Sequence, residues 1–187
     1  MIDTLGSWAK WIIDWRKRAF TSVSVLFLFS DYLIIKIMNT DYRVAEVGLT
    51  YRNRVPKKDR KQILDSRSAY NILRENFSDD TIDYKETFKV LYLNQNCQVL
   101  GCSTISEGGI TNTLADVRMI LQGALFTNAV AMILAHNHPS GSIRPSRQDD
   151  ELTRKIVAAA NLMDIQVNDH IILTSEEFYS YCDEGRI

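Results

Sequence analysis

The chain of 187 residues is 45% hydrophobic and 24% charged, which is typical of a globular protein large enough to bury one substantial core. Its formal net charge of −1 hides two unequal parts, because residues 1–78 carry 14 Lys and Arg against 8 Asp and Glu, whereas residues 79–187 carry 8 against 15. The acidic balance of the second part argues against a domain that binds a phosphate backbone.

Three cysteines, an odd number without a CxxC pair, indicate a reduced protein of the cytoplasm that has no disulfide framework. The same pattern excludes a cysteine zinc site, so any metal site must use other ligands. We expect Cys97, Cys102 and Cys182 to be small buried side chains on strands.

Residues 1–37 differ from the rest of the chain. A tryptophan-rich patch is followed by Arg16-Lys17-Arg18 and then by an apolar run that ends near Met38, which is the order of a signal anchor. Asp31 lies near the centre of this run and costs about 3 kcal/mol on insertion, so we expect no stable insertion into a membrane. The segment is interpreted either as an extra packing or self-association element or, preferably, as upstream sequence joined by a mis-called start.

Residues 38–64 are predicted to hold an N-terminal strand and a basic linker. Weak alternation of apolar residues from Asp41 to Thr50 favours the strand. Segment 51–61 then carries six Lys and Arg around Pro56. Such a run is usually a solvated connector, and contact with nucleic acid is the alternative interpretation.

From Asp65 onward the pattern alternates between helices and strands. A helix is predicted to begin at Asp65-Ser66, with Ala69, Ile72, Leu73 and Phe77 on one face. Glu86–Leu93 and Gln98–Ser103 alternate around an Asn-Gln-Asn turn and predict a hairpin. Asp116 is placed to cap a second helix, which leads to an apolar strand over residues 130–138.

The two histidines at the end of that strand are the first sign of a functional site. Because strand side chains alternate with period two, His136 and His138 point to the same side and Asn137 points to the other. Ser146 is predicted to cap a third helix that runs to Met163, and Asp149 in its first turn could reach back towards the histidines.

The remaining residues are predicted to close the sheet. Residues 165–173 form a strand that is broken or bulged near Asn168-Asp169. The tail that follows forms either a short helix or a closing edge strand. Strands interleaved with three helices favour an α/β layered domain, and the hairpin favours a mixed sheet.

Two imidazoles and one carboxylate, with a fourth position left open, are the ligands of a catalytic zinc site. The competing interpretation of Ser146 and Asp149 is a capping box, which needs no metal. A single histidine at the end of a buried strand is also usually a hydrogen-bonded core residue. The combination favours a metal, because two adjacent buried imidazoles cost desolvation unless something binds them.

The string His136-x-His138, followed by Ser146-x-x-Asp149, resembles the JAMM motif of the JAB/MPN metalloprotein superfamily. The fuller pattern HNHPSG and PSxxD is similar to the RadC-like branch, and the resemblance covers roughly residues 65–187. It implies an MPN (JAB) fold, which is α/β with a mixed central β-sheet flanked by helices and layered like a cytidine deaminase.

The resemblance also implies the roles of the site residues. One Zn²⁺ per chain would be held by His136, His138 and Asp149. The pattern E-x-F-x-V-L-x-L places the general base at Glu86, with Glu107 as the rival, and Ser146 would stabilise an oxyanion. Neither Asn137 nor Ser140 is given a chemical role. His170 is interpreted as structural, and support of the metal site is the alternative.

The function implied is that of a zinc-dependent hydrolase of the metallopeptidase or isopeptidase type, in which Glu86 activates a metal-bound water against a peptide or protein substrate. One alternative is a RadC-like protein associated with DNA repair that acts on or binds DNA through segment 51–61. Another is a non-catalytic MPN scaffold. A nucleoside deaminase is disfavoured, because that chemistry requires H-x-E and P-C-x-x-C. The oligomeric state is left open.

Overall fold

The computed structural model describes residues 51, 53–108 and 115–187. The segment 1–37 and the strand predicted over residues 41–50 therefore lie outside the described residues. The described part contains one short 3-10 helix, Lys57–Asp59, three α-helices and five β-strands. In chain order these are α1 (Ser66–Arg74), β1 (Thr87–Leu93), β2 (Val99–Glu107), α2 (Val117–Thr127), β3 (Ala131–Asn137), α3 (Arg147–Asn161), β4 (Gln166–Leu173) and β5 (Phe178–Ser180).

The five strands form one mixed sheet in the order β2-β1-β3-β4-β5. β1 is antiparallel to both β2 and β3, whereas β3 and β4 run parallel and are connected through α3. A parallel pair needs a crossover connection of this kind, and a helix is the usual solution. The prediction of an α/β domain with a mixed sheet is confirmed.

The two faces of β3 bury different clusters of apolar side chains. Ala131, Ile133 and Ala135 pack with buried residues of α1, such as Leu73. Met132 and Leu134 pack on the other face with residues of α2 and α3, among them Ile120, Ala124, Ile156 and Ala160. By period two, His136 continues the Met132 and Leu134 row and therefore faces α2 and α3.

The helix starts are the ones that the sequence predicts. Asp65 and Ser68 form a capping box at the start of α1, and the Asp116 side chain accepts a hydrogen bond from the Arg118 backbone at the start of α2. The first helix is shorter than expected, because it ends at Arg74. Phe77 lies beyond this end but is 5% exposed and joins the same core cluster, so its burial is retained without the helix.

The hairpin and the strand bulge that the sequence predicts are both present. The β1–β2 hairpin turns through residues 94–98, where Cys97 has a φ of 54°. The pairing of β3 with β4 steps from Val167 to Asp169 between consecutive partners, which leaves Asn168 as the extra residue of a bulge. The tail forms the closing edge, because β5 pairs antiparallel with β4.

The prediction that the cysteines are buried on strands is wrong. Cys97 lies half-buried in the hairpin turn, and Cys102 is exposed on β2, the end strand of the sheet in the described residues. Cys182 is exposed beyond β5, and all three are free thiols. The apolar periodicity around them is the same for a covered strand and an edge strand, so the sequence could not separate the two cases.

Asn53 and Lys61 of segment 51–61 contact β2. Asn53 Nδ2 donates to the Leu100 carbonyl at 3.1 Å, and the Lys61 carbonyl accepts from Val99 N at 2.9 Å. The Lys61 ammonium forms an ion pair with Glu75, the residue that follows α1. In the described ranges, no helix is long and apolar enough to cross a bilayer.

Candidate metal centre

The end of β3 positions the two histidines predicted as ligands. His136 is 1% exposed and lies opposite Phe88 in the β1–β3 register. His138 follows the strand, and its backbone N–H donates to the Leu173 carbonyl at 3.1 Å, which continues the pairing with β4. Asn137 points to the other face, where its side-chain oxygen accepts from Thr87 N at 2.8 Å.

Asp149 reaches this site from the first turn of α3. Its backbone N–H donates to Ser146 Oγ at 3.1 Å, and its Oδ2 accepts from the Ser146 backbone N–H at 2.6 Å, so the two residues form a capping box. Its Oδ1 lies 3.2 Å from His136 Nε2, and its Oδ2 lies 3.6 Å from His138 Nε2. The capping box and the approach to the histidines therefore coexist.

The ligand atoms of His136, His138 and Asp149 converge. The two Nε2 atoms are 2.9 Å apart, and the three ligand atoms all lie within 4.8 Å of one another. Ligand atoms of a tetrahedral zinc site, with bonds near 2.0–2.1 Å, lie about 3.3 Å apart. The observed separations bracket that value, and no other group among the described residues could hold a metal ion in this way.

The donor chemistry also fits a cation. His138 Nδ1 lies 2.6 Å from the carbonyl oxygen of Ser142, and a carbonyl can only accept, so Nδ1 carries the hydrogen. In a neutral His138 the Nε2 lone pair then faces His136 Nε2 and the Asp149 carboxylate. Three electron-rich atoms pointed at one another are satisfied together by a positive charge placed between them.

The charges of the site influence one another. Burial by itself raises the pKa of Asp149, but its close contacts with the His136 and His138 rings and with Ser146 outweigh this and hold that pKa well below its usual range. Burial by itself lowers the pKa of His138, but the bonds to Asp149 and to the Ser142 carbonyl raise it overall. Asp149 is consequently ionised at neutral pH, as a metal ligand must be.

Glu86 lies on the histidine face of the sheet. It is two residues before Phe88, whose partner is His136, so period two directs it to the same side. Burial raises the pKa of this half-buried carboxyl, the charges of His136 and His138 oppose the rise, and the charge of Asp149 adds to it. The site charges that act on Glu86 are thus those of the three candidate ligands.

The rival Glu107 lies elsewhere. It pairs with Thr87, whose side chain points away from the histidine face. It is exposed and forms an ion pair with Lys85, and this hydrogen-bonded contact lowers the pKa of Glu107. Of the two glutamates that the sequence left open, Glu86 is therefore the one beside the histidines.

Two serines near the site differ in their contacts. Ser140 lies in the turn after β3, where its hydroxyl accepts from Ser142 N at 3.4 Å. Ser146 is exposed, and its hydroxyl oxygen is the N-cap acceptor of α3. A hydroxyl that accepts from a backbone N–H still has its own hydrogen to donate.

His170, which sequence reasoning preferred as structural, contacts a candidate ligand directly. It is fully buried on β4, its Nε2 lies 2.8 Å from His136 Nδ1, and its ring stacks on Tyr181 with centroids 5.0 Å apart. Burial lowers the pKa of His170 well below its usual range, and the charge of His136 adds to the effect. The imidazole is therefore neutral.

Thr153 is a site residue that sequence reasoning missed. Its hydroxyl lies 2.6 Å from His170 Nδ1 and 2.6 Å from the Asp149 carbonyl oxygen. The sequence could have indicated it, because Thr153 is a polar residue one turn after Asp149 on the face of α3 that buries Ile156 and Ala160.

Asp169 precedes His170 but does not contact the candidate ligands through the hydrogen bonds described. Its carboxylate accepts from Ser180 Oγ at 2.7 Å and so stabilises the β4–β5 edge.

Comparison with known proteins gives a consistent result. The family model for the RadC-like JAB domain matches residues 63–186. A UPF0758 protein of Porphyromonas gingivalis is 40% identical over 136 residues, which cover 71% of this chain and 59% of the relative. A UPF0758 protein of Flavobacterium johnsoniae is 38% identical over 125 residues, covering 67% and 53%. The UPF0758 protein YfjY of Escherichia coli is 43% identical over 101 residues, covering 54% and 63%.

The chain thus spans between 53% and 63% of the length of these relatives. The family match includes every element from α1 to β5 and the whole His-His-Asp cluster. The mixed five-stranded sheet with its three helices has the architecture expected of a JAB/MPN fold. The chain belongs to the RadC-like JAB domain family.

Proposed function

We propose that this protein is a zinc-dependent hydrolase that cleaves an amide or isopeptide bond in a peptide or protein substrate. The observation that carries the proposal is the convergence of His136, His138 and Asp149 on the sheet face that also carries Glu86. Two neutral nitrogen ligands, one carboxylate and a neighbouring carboxyl are the parts that a metal-dependent hydrolase needs.

His136, His138 and Asp149 would hold the zinc, and three protein ligands leave one coordination position open. When bound, zinc supplies a water of lowered pKa and polarises the carbonyl oxygen of the substrate. The Ser142 carbonyl orients His138, and the Ser146 backbone N–H orients the Asp149 carboxylate. Ligands fixed by such outer contacts lose little freedom on binding the metal.

Glu86 would act as the general base and then as the general acid. It takes a proton from the attacking water as the water oxygen bonds to the carbonyl carbon, and it returns the proton to the amine nitrogen when the C–N bond breaks. The raised pKa of Glu86 supports this assignment, because an efficient proton carrier has a pKa close to the working pH.

Ser146 would assist at the carbonyl oxygen. Its hydroxyl oxygen is used as the helix cap, and its hydrogen, which is within reach of the Asp149 carboxylate, would turn to donate to the oxyanion of the tetrahedral intermediate. This gives Ser146 two roles that do not compete, because one uses a lone pair and the other uses the hydrogen.

A reducing compartment such as the cytoplasm suits three free thiols, and we propose that location. The scaffold alternative is less well supported, because a non-catalytic member has no need to keep three converging ligands. The nucleic-acid alternative depends on segment 51–61, in which Lys57 and Lys58 are exposed but Lys61 pairs with Glu75.

The experiment compares wild type with Glu86→Gln, and Glu107→Gln is the matched control on the opposite sheet face. Each protein is loaded with zinc, its metal content is measured by mass spectrometry, and it is assayed on peptide and isopeptide-linked substrates. We expect one zinc per chain in all three and turnover lost only in Glu86→Gln. Absence of turnover in the wild type, or equal turnover in Glu86→Gln, contradicts the proposal.

A DNA-binding measurement tests the nucleic-acid alternative. Duplex and single-stranded DNA are titrated with the wild type and with a variant in which Lys57, Lys58, Arg60 and Lys61 are replaced by Gln. A binding affinity that falls steeply with salt and is abolished in this variant supports the alternative. We expect weak binding that does not differ between the two proteins.

A further inference from the structure

A buried chain of polar side chains joins two of the candidate metal ligands through atoms that do not face the candidate metal position. It runs from His136 on β3 to His170 on β4, then to Thr153 on α3, and it ends at the main-chain carbonyl of Asp149. The three donor–acceptor distances along it are 2.8, 2.6 and 2.6 Å. The path thus leaves one ligand residue and returns to another.

The direction of every hydrogen bond in this chain follows from its last acceptor. A carbonyl oxygen cannot donate, so the single hydrogen of the Thr153 hydroxyl must point to Asp149 O. Thr153 Oγ1 can then only accept from His170, and His170 Nδ1 must carry a hydrogen.

The same reasoning continues to the metal ligand. The His170 ring is fully buried between the rings of Phe88 and Tyr181, where a charged imidazole would lose its hydration, so it carries a single hydrogen. With that hydrogen on Nδ1, the lone pair on Nε2 can only accept from His136 Nδ1. His136 then carries its hydrogen on Nδ1 and presents the lone pair of Nε2 to His138 and Asp149. This tautomer is the one that can bind a metal through Nε2.

The surroundings protect this arrangement. The exposed fractions of His136, His170 and Thr153 are 1%, 0% and 2%. Tyr181 stacks on the His170 ring at an interplanar angle of 14°, and Phe88 stacks on the His136 ring at 8°. Little water reaches these groups to compete for the hydrogen bonds, so their direction is determined by the protein.

We propose that His170 and Thr153 are positioning residues that hold His136 in its metal-binding tautomer through hydrogen bonds of one fixed direction. Histidine ligands are often oriented by a carboxylate, which adds negative charge to the site. Here the partner is a neutral imidazole, and the chain of bonds ends on a carbonyl. Asp149 is then the only ligand that contributes a negative charge. The inference rests on the metal site of the proposed function but not on hydrolysis.

The first test uses threonine variants of equal shape. Thr153→Val keeps the volume but removes the hydroxyl, so His170 can place its hydrogen on Nε2 and force His136 into the wrong tautomer. We expect its zinc affinity, measured against a chromophoric chelator, to fall by about tenfold or more. Thr153→Ser restores the hydroxyl and should recover most of the affinity.

Thr127→Val is the matched control for these variants. Thr127 also donates from a helix to the carbonyl four residues earlier, at 2.8 Å from Gly123 O, but it lies on α2. We expect its zinc affinity to equal that of the wild type. A loss in Thr127→Val as large as that in Thr153→Val would assign the effect to general destabilisation and overturn the inference.

A second pair of variants tests His170 itself. In His170→Gln the amide oxygen can occupy the place of Nε2 and accept from His136, whereas the shorter His170→Asn reaches only the place of Nδ1. We expect His170→Asn to bind zinc about tenfold more weakly than His170→Gln. Equal affinities in this pair contradict the inference.

The metal-free protein provides a readout that depends on neither folding yield nor turnover. ¹⁵N spectra of the histidine rings should show His136 and His170 both with the hydrogen on Nδ1, and Thr153→Val should lose this pattern. The opposite tautomer at His136 in the wild type overturns the inference. A wild type that binds zinc through this arrangement but cleaves nothing refutes only the proposed hydrolysis.

Discussion

Ser146 and Asp149 exchange two hydrogen bonds at the start of α3, and the same carboxylate lies 3.2 Å from His136 Nε2. The helix cap and the candidate metal ligand are therefore one structure. Oδ2 is held by the Ser146 backbone N–H, which leaves Oδ1 directed at His136 Nε2. A helix start aims this carboxylate more rigidly than a flexible loop would.

The shared structure makes Ser146→Ala informative. The variant loses the N-cap acceptor but keeps the backbone N–H that orients Asp149, so we expect about 1 kcal/mol less free energy of unfolding and zinc content close to wild type. If the hydroxyl also donates to the oxyanion, kcat falls by about 100-fold or more while KM changes little. Urea denaturation and steady-state kinetics measure the two effects, and Ser140→Ala serves as the control that should lower neither.

The lowered pKa of Asp149 predicts that the stability of the metal-free protein depends on pH. Its folded pKa lies below the ordinary 3.8. A carboxyl of this kind contributes stability above its unfolded pKa and loses it as the pH falls, so the loss begins as the pH drops through about 4. We expect the free energy of unfolding of the wild type to fall more steeply there than that of Asp149→Asn. Parallel curves for the two proteins would contradict this expectation.

Gly141 lies in the turn after His138, and its backbone N–H donates to the His138 carbonyl at 3.1 Å. It has a φ of +77° in the turn that presents the Ser142 carbonyl to His138 Nδ1. Alanine at this φ is strained by roughly 1 kcal/mol, so Gly141→Ala should displace the carbonyl and weaken zinc binding severalfold. Gly185→Ala also replaces a glycine of positive φ, 65°, but lies in the C-terminal tail, and its zinc affinity should match the wild type.

Gly123 is required for the packing of α2 on the sheet. A Cβ at this position would lie 2.0 Å from the hydroxyl of Tyr92 on β1. Gly123→Ala in an open helix gains about 1 kcal/mol, but here we expect a loss of about 1–3 kcal/mol in unfolding free energy.

A double-mutant cycle with Tyr92→Leu tests this cause. Because the smaller side chain removes the clash, Gly123→Ala should cost much less in the Tyr92→Leu background than in the wild type. Equal costs in the two backgrounds would show that the clash is relieved elsewhere. The measurement is urea denaturation of the four proteins.

Local sequence patterns predicted much of the site. Period two along β3 placed His136 and His138 on one side, and the capping residues located the start of α3 and hence Asp149. These features depend on residues close together in the chain, whose geometry is determined by backbone sterics and local hydrogen bonds.

What the sequence left open depended on contacts between distant segments. The choice between Glu86 and Glu107 followed from the β1–β3 register, in which Phe88 faces His136. The contact of His170 with His136 required the parallel pairing of β3 with β4, and the contact with Thr153 required α3 to pack on that face. Register and packing are selected by the burial of whole apolar faces, which no local pattern specifies, so only the tertiary structure decided them.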